Sequence, residues 1–316
     1  MEMFLSCDWG TTSFRLRLVR VDDLHILAET TNGQGIAETY QRWINQVTPK
    51  QRLAFYASLL NERVTELTQQ VQQSLAGVPI VLSGMASSSI GMKELPYQKL
   101  PVHIDGTDLR VDRLAADGAN PLWVISGIQT DEDVMRGEET KLVGCSSLLA
   151  DGDVTQLIIL PGTHSKHVTV KQHKITAFNT YMTGEFFKLL SENSVLSASV
   201  EKMADADDEQ NNQIRFSEGV RAAQTSGLLH AAFWVRTNQL LKNVSKVENF
   251  HYLSGLLIGS ELKDIPADIP VYLAAGSVHH PLYKAALEEL GRSVKGTMDA
   301  DLALIAGQRQ VLLKRA

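Results

Sequence analysis

The stretch Asp8-Trp9-Gly10-Thr11-Thr12-Ser13 decides the fold, because it joins two strand-like segments by a short turn that contains glycine. Before it, Met3 to Cys7 forms an apolar run. After it, Phe14, Leu16 and Leu18 alternate with two arginines. Alternation with a period of two is typical of a half-buried strand. Two strands joined by a short Gly/Thr/Ser turn predict a β-hairpin.

The same layout recurs in the second half of the chain. The apolar run Leu157 to Leu160 ends at Pro161-Gly162-Thr163-His164-Ser165-Lys166, and another alternating segment follows it. The repeat pairs Gly10 with Gly162, Thr11 with Thr163, and Ser13 with Ser165. An internal repeat of this kind predicts two halves of similar structure, each opening with the same hairpin.

Helices and strands alternate between and after the two hairpins. A long amphipathic helix is predicted from an N-cap at Thr48, with Pro49 as its first residue, to a glycine end at Gly77. Further strands are predicted at 78–82, 122–125 and 271–275, and further helices at 281–290 and 299–313. The polar stretch 204–213 is predicted to be an exposed loop or a helix turn at the surface. Strands that alternate with helices favour an α/β fold.

The chain length and one polar segment predict two domains. The chain has 316 residues, and a domain contains about 100–200. Asp151-Gly152-Asp153 is a polar break between apolar strands. The boundary is therefore predicted there, with domains at 1–150 and 151–316. The pattern leaves open whether the last helix packs back onto the first domain.

The composition indicates an ordinary globular protein. Hydrophobic residues make up 44% and charged residues 21%, and the net charge is −6. An acidic balance disfavours nucleic-acid and anionic-membrane partners. The two cysteines form neither a disulfide framework nor a zinc-binding pair, which is typical of a reducing compartment. Neither a signal peptide nor a transmembrane stretch is recognised, so we expect a cytoplasmic protein.

The two turns have the residue types that bind phosphate. Glycine allows close approach of the backbone to a ligand, and successive N–H groups form an anion-binding concavity. Hydroxyl groups and one lysine add donors, and Asp8 could hold Mg²⁺, a cation that prefers oxygen ligands. The candidate phosphate-binding residues are Gly10, Thr11, Thr12, Ser13, Gly162, Thr163, His164, Ser165 and Lys166. Two such turns predict a nucleoside triphosphate held between two domains.

Other readings of these turns are weaker. Each turn alone could be an ordinary polar hairpin turn. His164 and His167 could suggest a metal site, but no further ligand pattern supports one. The phosphate-binding loops of other folds, GxxxxGK[ST] and GxGxxG, do not occur, and neither does the esterase motif GxSxG.

Several longer strings make the chain resemble a known kinase family. The most specific are DVMRGEET at 133–140 and LPGTHSK at 160–166, together with the first turn and the segment at 83–85. With them, the chain resembles the 2-dehydro-3-deoxygalactonokinase family of the actin-like ATPase and sugar-kinase superfamily. The resemblance implies a two-domain, ribonuclease H-like α/β fold with a duplicated phosphate-binding β-hairpin. It further implies that the late turn Ala275-Gly276-Ser277 contacts the adenosine of ATP.

The implied reaction is phosphoryl transfer from ATP, with Mg²⁺, to the 6-hydroxyl of 2-dehydro-3-deoxy-D-galactonate, in D-galactonate breakdown. Such a reaction needs a group that accepts the proton of the hydroxyl. In related kinases this base is an acid at or near a helix N-terminus just after a strand, a description that fits Asp133. Glu138 is the alternative.

The substrate is a 2-keto acid, so Arg136 is predicted to bind its carboxylate, because a guanidinium matches a carboxylate with two bonds. An ion pair with Asp133 within a helix is the alternative role for Arg136. The predicted residues that recognise the sugar acid are Ser83, Gly84, Met85, Ser87 and Tyr97. The resemblance also places Thr180, Thr183 and Glu185 near the nucleotide.

Two other functions remain open at this point. One is a kinase of the same superfamily that acts on another sugar or sugar acid. The other is a sugar sensor without catalysis, although such regulators usually carry a DNA-binding segment ahead of the fold, and here the first hairpin begins almost at residue 1. The sequence fixes neither the oligomeric state, which could be a homodimer, nor the choice between the galactonate-derived acid and its gluconate-derived epimer.

Overall fold

The computed structural model describes residues 1–46, 51–115, 120–202 and 209–315. The predicted helix start at Thr48 and Pro49 lies outside these residues. Contacts between residues divide the chain into two compact units. Unit 1 contains Met1–Asp153, Val170–Ala177 and Ala300–Ala316, and unit 2 contains Val154–Thr169 and Phe178–Asp299.

The elements of unit 1 lie mainly in the first half of the chain. Its strands are β1 (Met3–Trp9), β2 (Phe14–Arg20), β3 (Ile26–Asn32), β4 (Ile80–Gly84), β5 (Gln98–Lys99), β6 (Val102–His103), β7 (Val111–Leu114), β8 (Leu122–Ile125), β9 (Ile128–Gln129) and β10 (Val134–Met135). Its helices are α1 (Ile36–Ile44), α2 (Arg52–Val71), α3 (Glu138–Gly144) and, from the end of the chain, α9 (Ala300–Leu313).

Unit 2 contains the remaining elements. Its strands are β11 (Gln156–Leu160), β12 (Ser165–Lys171), β13 (Lys174–Tyr181), β14 (Val271–Ala274) and β15 (Val294–Met298), with the outer ends of β12 and β13 counted in unit 1. Its helices are α4 (Thr183–Asn193), α5 (Glu209–Thr225), α6 (Leu228–Lys242), α7 (Lys246–Leu262) and α8 (His279–Glu289).

The main sheet of unit 1 has the strand order β3-β2-β1-β4-β8-β7. Strands β1 and β2 are antiparallel, whereas β4 runs parallel to β1, and β8 runs parallel to β4. Helix α2 covers one face, where its buried Tyr56, Leu60 and Leu67 join a core with Leu5 and Leu16 of the hairpin. The alternating apolar residues of the first hairpin thus supply one side of a continuous core.

The second six-stranded sheet has the order β15-β14-β11-β12-β13-β6. Read from β13 to β15, its first five strands repeat the order of β3 to β8 in unit 1, and β6 lies at the edge beyond β13. Strand β14 is parallel to β11, and β15 is parallel to β14. The four-residue link from β11 to β12 requires an antiparallel pair, because parallel neighbours need a long crossover. A hairpin followed by parallel strands therefore occurs twice, and the predicted α/β fold with a duplicated hairpin is confirmed.

Two predictions about elements and boundaries differ from the structure, and a third agrees with it over the described residues. Helix α2 ends at Val71, where Gln72 adopts the left-handed conformation, and not at Gly77. The predicted surface stretch 204–213 is helical and mostly exposed from Glu209, where α5 begins, as its helical alternative predicts, while 203–208 lie outside the described residues. Unit 1 also includes 170–177 and 300–316, which the predicted domains 1–150 and 151–316 assign to the second half. The last helix therefore groups with the first unit.

Within the described part of the chain, no helix combines the length and apolar character needed to cross a bilayer.

Candidate active site

Hydrogen bonds fix the backbone of the turn between β1 and β2, and the side chains of the turn are exposed. The Gly10 N–H donates to the Ser13 carbonyl at 2.9 Å, which closes the turn. The carbonyls of Gly10 and Thr11 accept the Ile36 and Ala37 N–H groups at 2.9 and 3.1 Å, so α1 begins directly on the turn. The predicted phosphate-binding side chains Thr11, Thr12 and Ser13 are exposed. Their hydroxyls therefore face outward from a backbone that is fixed in place.

Asp8 lies at the end of β1, next to the turn. Burial raises the pKa of its carboxyl, and the nearby cations Lys141 and Arg15 oppose this rise. A side chain at Gly84, which has φ +82°, would place its Cβ 3.5 Å from Asp8 Oδ1, so the glycine keeps space open beside the carboxylate. No group of three metal-ligating side chains occurs among the described residues. A single carboxylate fits Mg²⁺, which keeps several waters and takes phosphate oxygens as further ligands.

Helix α3 begins beside this carboxylate. Gly137, at φ +107°, precedes the helix, and a Cβ there would lie 3.1 Å from the Gly84 Cα. Glu138 is the first helical residue, and Lys141, one turn later, acts electrostatically on Asp8. Residues three apart share one face of a helix. Glu138 and Lys141 therefore lie on the same face of α3.

The neighbouring acid Glu139 points into the interior. It is fully buried, and its Oε2 accepts the Gly137 N–H at 2.6 Å, while its Oε1 accepts the Thr140 hydroxyl at 3.0 Å. Burial, reinforced by the charge of Glu138, raises the pKa of Glu139 to about 8. At neutral pH its carboxyl is therefore protonated, and it adds little negative charge beside Glu138.

Asp133 is not at a helix N-terminus, and that part of the prediction is wrong. It lies in the turn between β9 and β10, where its Oδ1 accepts the Val134 N–H at 2.7 Å, and its own N–H donates to the Thr130 hydroxyl at 2.8 Å. The turn lines a surface cavity of about 440 Å³ with Lys99 and residues 129–134. None of these residues belongs to β1, β4 or α3.

Arg136 contacts two of the other residues that were predicted to bind the substrate, Ser87 and Tyr97. Its Nη1 donates to both the carbonyl and the hydroxyl of Ser87, each at 2.6 Å, and its guanidinium lies 4.1 Å from the centre of the Tyr97 ring. The Nε is buried and has no hydrogen-bond partner among the described residues. Arg136 bonds to the loop after β4 and lies outside α3, so a helical ion pair with Asp133 is not its role.

Ser83 and Ser87 are less accessible than the sequence predicted. Ser83 is 1% exposed, and its hydroxyl bonds to Thr140 and to the Gln308 amide at 3.2 and 2.9 Å. Its side chain therefore faces α3 and α9 and cannot contact a substrate in this structure. Ser87 is fully buried under Arg136. Gly84 and Met85, between them, connect the end of β4 to a short 3₁₀ helix at Met85–Ser87.

The turn between β11 and β12 resembles the first in layout, but its side chains divide into two groups. Thr163 and His164 are exposed, whereas Ser165 and Lys166 are buried. Lys166 Nζ donates to the His164 carbonyl at 3.0 Å, so the side chain folds back over the turn. The Ser165 hydroxyl lies 2.8 Å from that of Tyr283. The prediction that Ser165 offers its hydroxyl to a phosphate is therefore wrong, because that hydroxyl faces the interior.

Helix α4 begins against this second turn. A Cβ on Gly184 would lie 2.7 Å from the Gly162 carbonyl oxygen, so only glycine permits this approach. The Glu185 N–H donates to the Thr163 carbonyl at 3.1 Å, and the Glu185 carboxylate lies 2.5 Å from His164 Nε2. The turn and the start of α4 therefore form one local structure.

A buried acid beneath the second turn was not predicted. Glu261, on α7, bonds to His167 Nε2 at 2.9 Å, to the Tyr283 hydroxyl at 2.7 Å and to the Thr183 hydroxyl. Its side chain is 1% exposed. The sequence offers one weak signal, since acids are rarely buried without partners and Glu261 follows a long apolar run.

The predicted adenosine turn follows β14. The Ala275 N–H donates to the Met298 carbonyl at 3.1 Å, which keeps Ala275 in the sheet. The Gly276 carbonyl accepts the His279 and His280 N–H groups, so the turn leads directly into α8. Ser277 is exposed at its tip. The turn thus presents small residues at the same edge of the unit 2 sheet as the second phosphate turn, because β11 and β14 are parallel neighbours.

Comparison with known proteins places the chain in one family. The family described as 2-keto-3-deoxy-galactonokinase matches residues 8–311. The 2-dehydro-3-deoxygalactonokinase of Escherichia coli (strain K12) is 29% identical over 98% of this chain and 97% of its own length. A protein of Rhizobium meliloti (strain 1021), provisionally named as the same enzyme, is 31% identical over 96% of this chain and 94% of its own length.

A solved structure agrees with these sequence matches. A Sinorhizobium meliloti protein, also provisionally named 2-dehydro-3-deoxygalactonokinase, superposes with a TM-score of 0.79 and 29% identity. The alignment covers 98% of this chain and 96% of that protein.

Proposed function

The chain belongs to the 2-keto-3-deoxy-galactonokinase family, and from that premise we propose that it transfers the terminal phosphoryl group of ATP to the 6-hydroxyl of 2-dehydro-3-deoxy-D-galactonate. The observation that carries this proposal is the extent of the family match. Residues 8–311 include both phosphate turns, the start of α3 and the loop that Arg136 holds. The alternative, another sugar acid or sugar as the acceptor, uses the same phosphate-binding parts.

The two turns bind the phosphates of ATP. The first offers exposed hydroxyls at Thr11, Thr12 and Ser13, and the second offers exposed Thr163 and His164 with Lys166 folded over the turn. Asp8, beside the first turn, would hold Mg²⁺, which supplies charge neutralisation at the transferring phosphoryl group when bound. The glycine at position 84 keeps a side chain away from this carboxylate, since a Cβ there would lie 3.5 Å from Asp8 Oδ1.

Glu138 accepts the proton of the attacking hydroxyl. What supports this role is its place as the first residue of α3, on the face that also carries Lys141, whose charge acts on Asp8. Burial raises the pKa of the neighbouring Glu139 to about 8, so its neutral form is favoured at pH 7 and it adds little negative charge beside the Glu138 carboxylate. Asp133 has no comparable place, because it lies in the β9–β10 turn, where its Oδ1 accepts the Val134 N–H.

Arg136 shapes the acceptor pocket through the loop after β4. Both hydrogens of its Nη1 are used by Ser87, and its face is stacked on Tyr97. A direct two-bond grip on a carboxylate would require Arg136 to give up contacts with Ser87 or to expose its buried Nε. We therefore assign Arg136 to the support of the pocket, with backbone N–H groups of residues 83–89 as the groups that receive the substrate carboxylate.

An acceptor screen tests the proposal. Purified protein is incubated with ATP, Mg²⁺ and a set of acceptors that includes the galactonate-derived 2-keto-3-deoxy acid, its gluconate-derived epimer and plain hexoses, and ADP release is measured. We expect the galactonate-derived acid to give the highest kcat/KM. A higher kcat/KM for a hexose would show that the proposed substrate is wrong. If no acceptor leads to ADP release, a sugar sensor without catalysis is favoured.

A further inference from the structure

Glu261 lies at the centre of a buried polar network in unit 2. Its carboxylate receives hydrogen bonds from three elements, namely β12 through His167, the start of α4 through Thr183, and α8 through Tyr283. His167 is itself packed on the Tyr181 ring, at 4.5 Å between ring centres. Burying a carboxylate is costly unless several donors compensate it, so the network has to be retained as a whole.

Each hydrogen bond on the Tyr283 side of this network has a defined donor and acceptor. The Tyr283 hydroxyl donates its single hydrogen to Glu261. The Tyr283 oxygen can then accept the hydroxyl hydrogen of Ser165, 2.8 Å away. The Ser165 oxygen in turn accepts the Gly162 N–H at 3.4 Å. A directed chain thus runs from the backbone of the second phosphate turn to the buried carboxylate.

A second branch reaches the same turn from the other side. The Thr183 hydroxyl donates to Glu261, and Thr183 is the first residue of α4. The next residue, Gly184, lies against the Gly162 carbonyl, and the Glu185 N–H donates to the Thr163 carbonyl. The same carboxylate therefore fixes both strand β12, which leaves the turn, and helix α4, which packs against it.

We propose that Glu261 is a positioning residue for the second phosphate turn, acting through Tyr283 and Ser165 on one side and through Thr183 on the other. The inference rests on the proposed function, since it assumes that this turn binds the phosphates of ATP. Loss of a link should therefore weaken binding of the nucleotide and leave binding of the acceptor unchanged. Glu261 touches no reacting group, so the turnover number should change little.

The sharpest test is Tyr283→Phe, which removes the central hydroxyl and keeps the ring. Tyr252→Phe is the matched control, because Tyr252 is equally buried in unit 2 and its hydroxyl has no partner among the described residues. We expect Tyr283→Phe to raise the KM for ATP and the Kd for ADP, measured by calorimetry, about tenfold, the worth of roughly one hydrogen bond. The KM for the acceptor and kcat should stay within about twofold, and Tyr252→Phe should match the wild type.

A threonine pair provides an independent test of the second branch. Thr183→Val removes the hydroxyl at nearly constant volume, and Thr183→Ser retains it. We expect Thr183→Val to weaken ADP binding and Thr183→Ser to restore it. This pair also decides the question if Tyr283→Phe does not fold.

The outcomes separate this inference from the proposed function. Unchanged ADP affinity in folded Tyr283→Phe and Thr183→Val would overturn the positioning role, and so would equal rises in the KM values for ATP and for the acceptor. If the wild type itself neither binds ADP nor phosphorylates any acceptor, the proposed function fails instead.

Discussion

At the scale of single residues, the two acids proposed as the catalytic base differ in their surroundings. Glu138 begins α3 on the face that also carries Lys141, whereas Asp133 lies in the β9–β10 turn and its Oδ1 accepts the Val134 N–H. We expect Glu138→Gln to lower kcat about 10²- to 10⁴-fold, the usual contribution of a general base. Asp133→Asn, the matched control, should keep kcat within about twofold. Steady-state kinetics at saturating ATP measures both, and a large loss in Asp133→Asn alone would return the base to that residue.

Arg136 carries a second prediction at this scale. Arg136→Lys removes the planar group that bonds twice to Ser87 and stacks on Tyr97, and an ammonium cannot replace it. We expect kcat/KM to fall about tenfold or more, as for loss of a charge-assisted hydrogen bond. A supporting role predicts equal losses on the acid and on an uncharged 3-deoxy sugar. A loss confined to the acid would show that Arg136 binds the carboxylate directly.

Glu139 makes stability depend on pH in a defined direction. Its folded-state pKa of about 8 lies above the ordinary value of 4.5, so the folded protein binds the proton more tightly than the unfolded chain does. This contribution to the free energy of unfolding is fully present below about pH 4.5 and is lost as the pH rises to about 8. Glu139→Gln resembles the protonated form and should remove this part of the slope. Urea unfolding of both proteins at pH 5 and pH 8.5 measures the difference, and identical slopes would contradict the prediction.

Sequence patterns could identify the turn residues but not the partners beneath them. Thr11, Thr12 and Thr163 lie in short stretches whose composition already indicates a phosphate turn. Glu261 and Tyr283 contribute through contacts with residues far away in the chain, such as Ser165, and no local pattern encodes such contacts. For Ser83 the local pattern was misleading, because a polar turn suggested an accessible hydroxyl whereas the hydroxyl faces the interior.

At the scale of elements, the crossing of α3 and α9 depends on two glycines. A Cβ on Gly144 would lie 1.9 Å from the Ala303 carbonyl oxygen, and one on Gly307 would lie 1.8 Å from that of Thr140. We expect Gly307→Ala to cost more than about 3 kcal/mol, because the helices must separate and lose buried contacts. Gly33→Ala, where a Cβ has open space, is the control and should change stability by less than about 0.5 kcal/mol. Denaturant unfolding compares the two, and equal stabilities would refute the close crossing.

The sequence predicted the elements with one clear apolar face and missed those without one. Strand β8 was predicted at its observed bounds, and α2 was recognised from its regular stripe. Helix α7 is buried on several sides, from Tyr252 to Gly259 without interruption, so its apolar residues show no period of 3.6. Helices α5 and α6 likewise gave no usable pattern, because α5 is strongly polar and α6 carries apolar residues on its exposed side as well.

At the scale of the whole molecule, the sequence predicts a division at one point, whereas unit 1 is built from three separate segments. Asp301 at the start of α9 bonds to Arg15 and Arg17 at 2.6 Å, and the Gln308 amide donates to the Cys7 carbonyl at 2.9 Å. These contacts join the end of the chain to its first hairpin. Loop lengths and local patterns contain no information about such a return.

The last prediction concerns this return of the chain. A protein truncated after Asp299 should lose cooperative unfolding of unit 1, because α3, β4 and β1 lose the helix that packs against them, with its buried Leu304, Ile305 and Leu312. Arg17, whose side chain is 4% exposed, also loses one of its two carboxylate partners, which leaves a buried charge poorly compensated. A protein that ends at Leu313 keeps α9 and serves as the control. Hydrogen exchange should show lost protection in β1 and β4 of the shorter protein and wild-type protection in the control. Wild-type protection of β1 in the shorter protein would mean that residues 1–153 fold without the last helix.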